Sequence, residues 1–118
     1  MKIIVSYFLF TVLVAQSLDD RYHSVEEIYG VLDSLDQIEE ISDYFHLDTI
    51  GFSTQENIPI LAVRISDNAH MKEDEPRVLF IGQVHAEEIL GVEIVMDLID
   101  DLLFPDPSIL SHMNILKQ

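Results

Sequence analysis

Val25, Ile28, Leu32 and Leu35 recur every three or four residues, the spacing that places apolar side chains on one face of a helix. Glu26, Glu27, Asp33, Asp36 and Gln37 fill the other face. Ser24-Val25-Glu26-Glu27 has the form of a capping box, with a hydroxyl at the N-cap and a glutamate three residues on. The pattern predicts an amphipathic helix over residues 25–40, with Gly30 as its weak point. Residues 44–50 are aromatic and β-branched with partial alternation, and residues 58–65 repeat that character after a turn-like segment 51–57. They predict two strands of an antiparallel hairpin with a loop of moderate length. Pro59 suits only the start or edge of its strand. A polar, charge-rich loop follows over 67–76. Residues 77–84 enclose the continuous apolar run Val78-Leu79-Phe80-Ile81, the composition of a strand buried on both faces of a sheet.

A second helix is predicted over residues 86–104. Glu93, Asp97, Asp100 and Asp101 make one polar stripe, and Ile89, Leu90, Met96, Leu98, Ile99, Leu102 and Leu103 cover the rest. Such a wide apolar face suits a helix laid on a sheet. Phe104-Pro105-Asp106-Pro107 ends it. The order α-β-β-β-α makes this an α/β chain: an incomplete α/β sandwich in which an antiparallel hairpin joins a mixed sheet with flanking helices.

The first 17 residues depart from this pattern. Lys2 is their only charge, residues 3–14 are almost wholly apolar, and Ala15 and Ser17 stand at the −3 and −1 positions of a cut after Ser17. That is the layout of a secretory signal peptide; the apolar run is shorter than the roughly 20 residues a membrane span needs. The expected organisation is a signal peptide over 1–17 and one domain over 18–118, exported to a periplasm or outside the cell, with no membrane contact after cleavage. The formal charge of −16 over 118 residues repels phosphate backbones and anionic lipid, and argues against nucleic acid as a partner. No cysteine is present, so burial without disulfides must hold the fold. Nucleophile elbows and glycine-rich phosphate loops are absent from the sequence.

Three His-x-x-Glu pairs occur among ten glutamates, so the spacing alone carries little. His23–Glu26 straddles the cap of the first helix, where a first-turn carboxylate is favoured by the helix dipole. His70–Glu73 lies in the polar loop, where fixing ligands costs about 1–2 kcal/mol of backbone entropy per residue. His85–Glu88 stands at the carboxyl end of the apolar strand, where open α/β sheets place ligands. Gly82 and Ala86 leave room there, and Glu88 is expected in the first turn of the following helix. Zinc accepts imidazole nitrogen and carboxylate oxygen together. The plain alternative is a surface histidine beside a first-turn glutamate. Asp67, Glu73, Asp74 and Glu75 raise a second possibility, a non-catalytic exported module that binds cations or basic partners, although they lack a regular calcium-loop spacing.

The run Phe80-Ile81-Gly82-Gln83-Val84-His85-Ala86-Glu87-Glu88 resembles the first zinc-binding element of the carboxypeptidase A-like zinc carboxypeptidases: a strand, a glycine, His-Ala-x-Glu, then an amphipathic helix. Tyr22 and the helix after Ser24 resemble the family's opening Tyr-containing helix. Ile50-Gly51-Phe52-Ser53, then Pro59-Ile60 and the strand through Arg64-Ile65-Ser66, resemble its Ile-Gly-x-Ser hairpin. The resemblance implies a zinc-dependent metallocarboxypeptidase that removes C-terminal residues from peptides or proteins, with His85 and Glu88 as metal ligands. It also implies that the third ligand, a histidine, and the catalytic glutamate lie far downstream. The chain is therefore expected to be an N-terminal fragment, inactive alone, with no catalytic base of its own; His112 is a poor candidate for the missing ligand, and His46 reads as an ordinary strand residue. Two departures stand out. The turn Thr54-Gln55-Glu56-Asn57-Ile58 has no arginine where the family commonly has one, and Glu87 stands where many relatives have an arginine. A negative charge beside the site disfavours a substrate carboxylate close by.

Overall fold

The computed structural model describes residues 21–108; the expected signal peptide and His112 lie outside them. Helix α1 spans Val25–Leu35, strand β1 Phe45–Phe52, strand β2 Pro59–Ile65 and helix α2 Ile89–Leu103, with a short 3₁₀ turn at Glu39–Ile41. The result is a small mixed α/β arrangement.

The capping box forms as expected. The Ser24 backbone N–H donates to Glu27 Oε2 at 2.7 Å, and the Glu27 N–H donates to Ser24 Oγ at 3.3 Å. The helix ends five residues earlier than the periodicity suggests. Its last turn has no basic residue while Asp33, Asp36, Glu39 and Glu40 crowd the negative end of the helix dipole. Ile38 turns extended, with φ −82° and ψ 111°, which lets Ile41 enter the core.

Strands β1 and β2 pair antiparallel from Phe45↔Ile65 to Phe52↔Pro59, with Pro59 at the strand's first position as expected. The register slips between Thr49 and Gly51, leaving Ile50 as the bulged residue. In the turn, the Ser53 N–H donates to Ile58 O at 2.8 Å, and Asn57 takes a left-handed φ of 54°, which asparagine tolerates. The core sits on one face of this hairpin. Leu32 of α1, Ile41, Phe45 and Ile99 of α2 are buried together, with Ile28, Leu47, Leu61, Val63, Ile65, Val95 and Met96 packed around them. The Tyr29 hydroxyl donates to the Pro59 carbonyl and ties α1 to the start of β2. Alternation puts His46, Asp48 and Arg64 on the other face.

The third predicted strand does not form. The only sheet among the described residues has two strands, and residues 77–84 are not part of it. Val78 is 79 % exposed, Leu79 81 % and Ile81 67 %. A strand needs a neighbour for its N–H and C=O groups and cover for its faces; the described residues offer neither. Helix α2 also starts later than predicted, at Ile89, with Glu88 as its N-cap residue rather than in the first turn. No helix among the described residues is long and apolar enough to cross a membrane.

Candidate functional site

Gly82 sets the approach to His85. A Cβ on Gly82 would lie 2.7 Å from the Gly91 carbonyl oxygen and 2.9 Å from Val92 Cα, closer than carbon atoms come. A Cβ on Gly91 would lie 3.0 Å from Gln83 N. The two glycines thus let the incoming chain lie directly on the first turn of α2. Gln83 then turns left-handed, with φ 53°, and its side-chain amide donates to Ala86 O at 3.1 Å. The Glu88 N–H donates to His85 O at 3.0 Å and the Gly91 N–H to Glu88 O at 2.9 Å. A tight turn therefore hands the chain into the helix.

This turn brings His85 and Glu88 together. His85 Nδ1 lies 2.9 Å from Glu88 Oε1, and the His85 N–H donates to Glu88 Oε2 at 3.3 Å. The ring bond first, then the backbone bond, holds the Glu88 carboxyl below its usual pKa of 4.5. Both side chains are solvent-accessible, 67 % and 51 %. Imidazole nitrogen and carboxylate oxygen bind zinc at roughly 2.0–2.2 Å, so neighbouring donors on a tetrahedral ion sit about 3.3 Å apart. A separation of 2.9 Å is within a small rotation of that value.

The other His-x-x-Glu pairs are not pairs in space. His23 ignores Glu26 and reaches across the fold to Glu93 of α2: its N–H donates to Glu93 Oε1 at 2.7 Å and its Nδ1 lies 2.8 Å from Oε2. The Glu93 hydrogen bond raises the His23 pKa above 6.5. The backbone and ring bonds from His23 lower that of Glu93 below 4.5. Glu93 belongs to the polar stripe of α2 in sequence, and a contact between residues 70 apart leaves no local signal. His70 Nε2 bonds the Ser42 carbonyl at 2.8 Å, while Glu73 accepts from Asn68 at 3.3 Å. His46 packs its ring 4.6 Å from that of His70, with Asp48 at 3.9 Å.

In the polar loop, Asp67, Glu73 and Glu75 bring carboxylate oxygens within 4.8 Å of one another, without Asp74. These are mostly exposed acids hydrogen-bonded to Ser66 and Asn68, and no histidine joins them. Among the described residues this is the single group of three or more such ligands, so no third donor completes His85 and Glu88 there.

A histidine and a glutamate thus meet at the entry of a helix on a mixed α/β scaffold. Residues 31–115 match the zinc carboxypeptidase family, and the chain belongs to that family. Its members are zinc-dependent hydrolases of peptides. No curated protein matches the chain.

Proposed function

We propose that this chain forms the first zinc-binding element of a carboxypeptidase that removes C-terminal residues from peptides, with His85 and Glu88 as two of the metal ligands. The observation that carries the proposal is the convergence of His85 Nδ1 and Glu88 Oε1 to 2.9 Å, inside the family match. The donor set fits zinc: one imidazole nitrogen and one carboxylate oxygen. Zinc bound there supplies a Lewis acid and lowers the pKa of its water toward about 7.

The chain's own contribution is positional. Gly82 and Gly91 fix the turn, and the turn aims both side chains. Holding the Glu88 carboxyl below 4.5 keeps it ionised across neutral pH. A metal-binding imidazole nitrogen must be free of its proton, so zinc binding by such a pair weakens as the medium becomes acidic. A hydrolytic site needs three protein ligands, an open position and a general base. The third ligand and the base come from outside the described residues, so residues 21–108 alone lack activity. Glu87, next to the pair, disfavours a substrate carboxylate at that point. Export through a signal peptide over residues 1–17 completes the proposal.

Zinc titration of the 118-residue chain, with and without His85→Ala, tests it. The substitution should remove most of the zinc affinity, which two ligands alone keep modest. Affinity that survives it would move the cation to the Asp67, Glu73 and Glu75 loop and end the assignment of His85.

A further inference from the structure

Helix α2 begins without the usual fixings. Its N-cap residue, Glu88, makes no side-chain capping bond, and its first turn holds no acidic residue. The Glu88 carboxylate is turned toward His85 instead. A helix start that lacks a cap frays, and fraying here would move Glu88 itself. The Gly82–Gly91 contact shapes this turn, and a second contact ties it to the rest of the fold.

His23 does so from the opposite helix. It immediately precedes Ser24, whose backbone is fixed by the capping box of α1. From that rigid point it grips one carboxylate twice, through its backbone N–H at 2.7 Å and its ring Nδ1 at 2.8 Å. The gripped residue, Glu93, lies just over a turn beyond Glu88 and two residues after Gly91, where the chain from Gly82 rests on the helix. The Glu93 side chain is only 16 % exposed, so solvent does not readily replace the histidine.

We infer that His23 and Glu93 form a latch that positions Glu88, and through it the His85–Glu88 pair, by fixing the N-terminal turn of α2 to the capped start of α1. The inference rests on His85 and Glu88 being the zinc ligands. His23 is a positioning residue and touches neither metal nor substrate.

The test uses the 118-residue chain with four substitutions: His23→Ala, His23→Asn, Glu93→Gln and, as reference, His85→Ala. Zinc affinity is read by chelator competition at pH 7 and low temperature, and amide exchange is read at Glu88 and Gly91. His23→Ala should weaken zinc binding roughly 3- to 10-fold, in the lower part of the range of coupling between contacting residues, and speed exchange at both amides. His23→Asn keeps a side-chain donor toward Glu93 and should stay within about 2-fold of the parent. Glu93→Gln keeps one acceptor and should fall between the two. Should His23→Ala fail to fold, the Asn and Gln variants still decide the matter through their order. Zinc affinity and amide exchange unchanged in all three, with affinity lost in His85→Ala, overturn the latch alone. If His85→Ala retains zinc, the ligand assignment falls instead, and the exchange data still decide whether the latch holds the turn.

Discussion

Gly82 and Gly91 meet backbone to backbone, so tightly that a methyl group on Gly82 would sit 2.7 Å from the Gly91 carbonyl oxygen. His85 and Glu88, 2.9 Å apart, lie in the loop closed by this contact. Neither neighbour is a flexible side-chain tip, so neither can step aside. Gly82→Ala should therefore destabilise the chain by about 1–3 kcal/mol, read as a fall in the urea midpoint. It should also lower zinc affinity, because the turn must open to admit the methyl group. Gly30→Ala is the control: its Cβ would meet nothing within 4 Å, and the change should stabilise α1 by up to about 1 kcal/mol.

The Glu88 carboxyl owes its depressed pKa first to the His85 ring and then to the His85 backbone. In His85→Ala the ring bond is gone and the backbone bond remains. Carboxyl titration followed by NMR should then show the Glu88 pKa moving up, part of the way back toward 4.5. In the parent chain the His85–Glu88 contact is present above 4.5 and is lost as pH falls through the depressed value. A Glu88 pKa that does not move would mean that the two side chains are apart in solution.

His23 and Glu93 give the helix–helix contact a pH window. The raised His23 pKa contributes stability that is complete below 6.5 and lost as pH rises through the folded value. The lowered Glu93 pKa contributes stability present above 4.5 and lost as pH falls through its folded value. Their joint electrostatic contribution is thus greatest between about 4.5 and 6.5. With the His23 side chain 43 % exposed, solvent screening keeps it modest. Thermal melts from pH 4 to 8 should show a shallow maximum in that window, and Glu93→Gln should flatten it. A parent profile identical to that of the Gln variant would count against the pairing.

Residues 77–84 expose Val78, Leu79, Phe80 and Ile81 together. A contiguous apolar patch of this kind on a free chain promotes self-association. Leu79→Lys should reduce light scattering at a given concentration while leaving the unfolding free energy within about 0.5 kcal/mol, since an 81 % exposed side chain contributes little to the fold. Scattering unchanged by the substitution would show that the patch is not what brings chains together.

The helices and the hairpin were legible because their signals are local. The capping box at Ser24 and Glu27, the spacing of Ile28, Leu32 and Leu35, and the position of Pro59 each act within a few residues, and each appears as expected. His85 and Glu88 could be singled out on the same scale, since three residues separate them, and the chain does bring them together. The end of α1 was harder to place, because burial of Ile41 beside Phe45 competes with the helix pattern and wins.

By itself, then, the sequence determined the elements whose causes lie within a turn or two of chain: caps, periodicity, the hairpin and the family signature around His85. Only the tertiary structure decided what distant residues do to one another. It took Glu93 out of the polar stripe and gave it to His23, pressed Gly82 onto Gly91, and left residues 77–84 outside the sheet. A strand's apolar composition states that it can be buried, but the hydrogen bonds and covering faces that make it a strand belong to its neighbours.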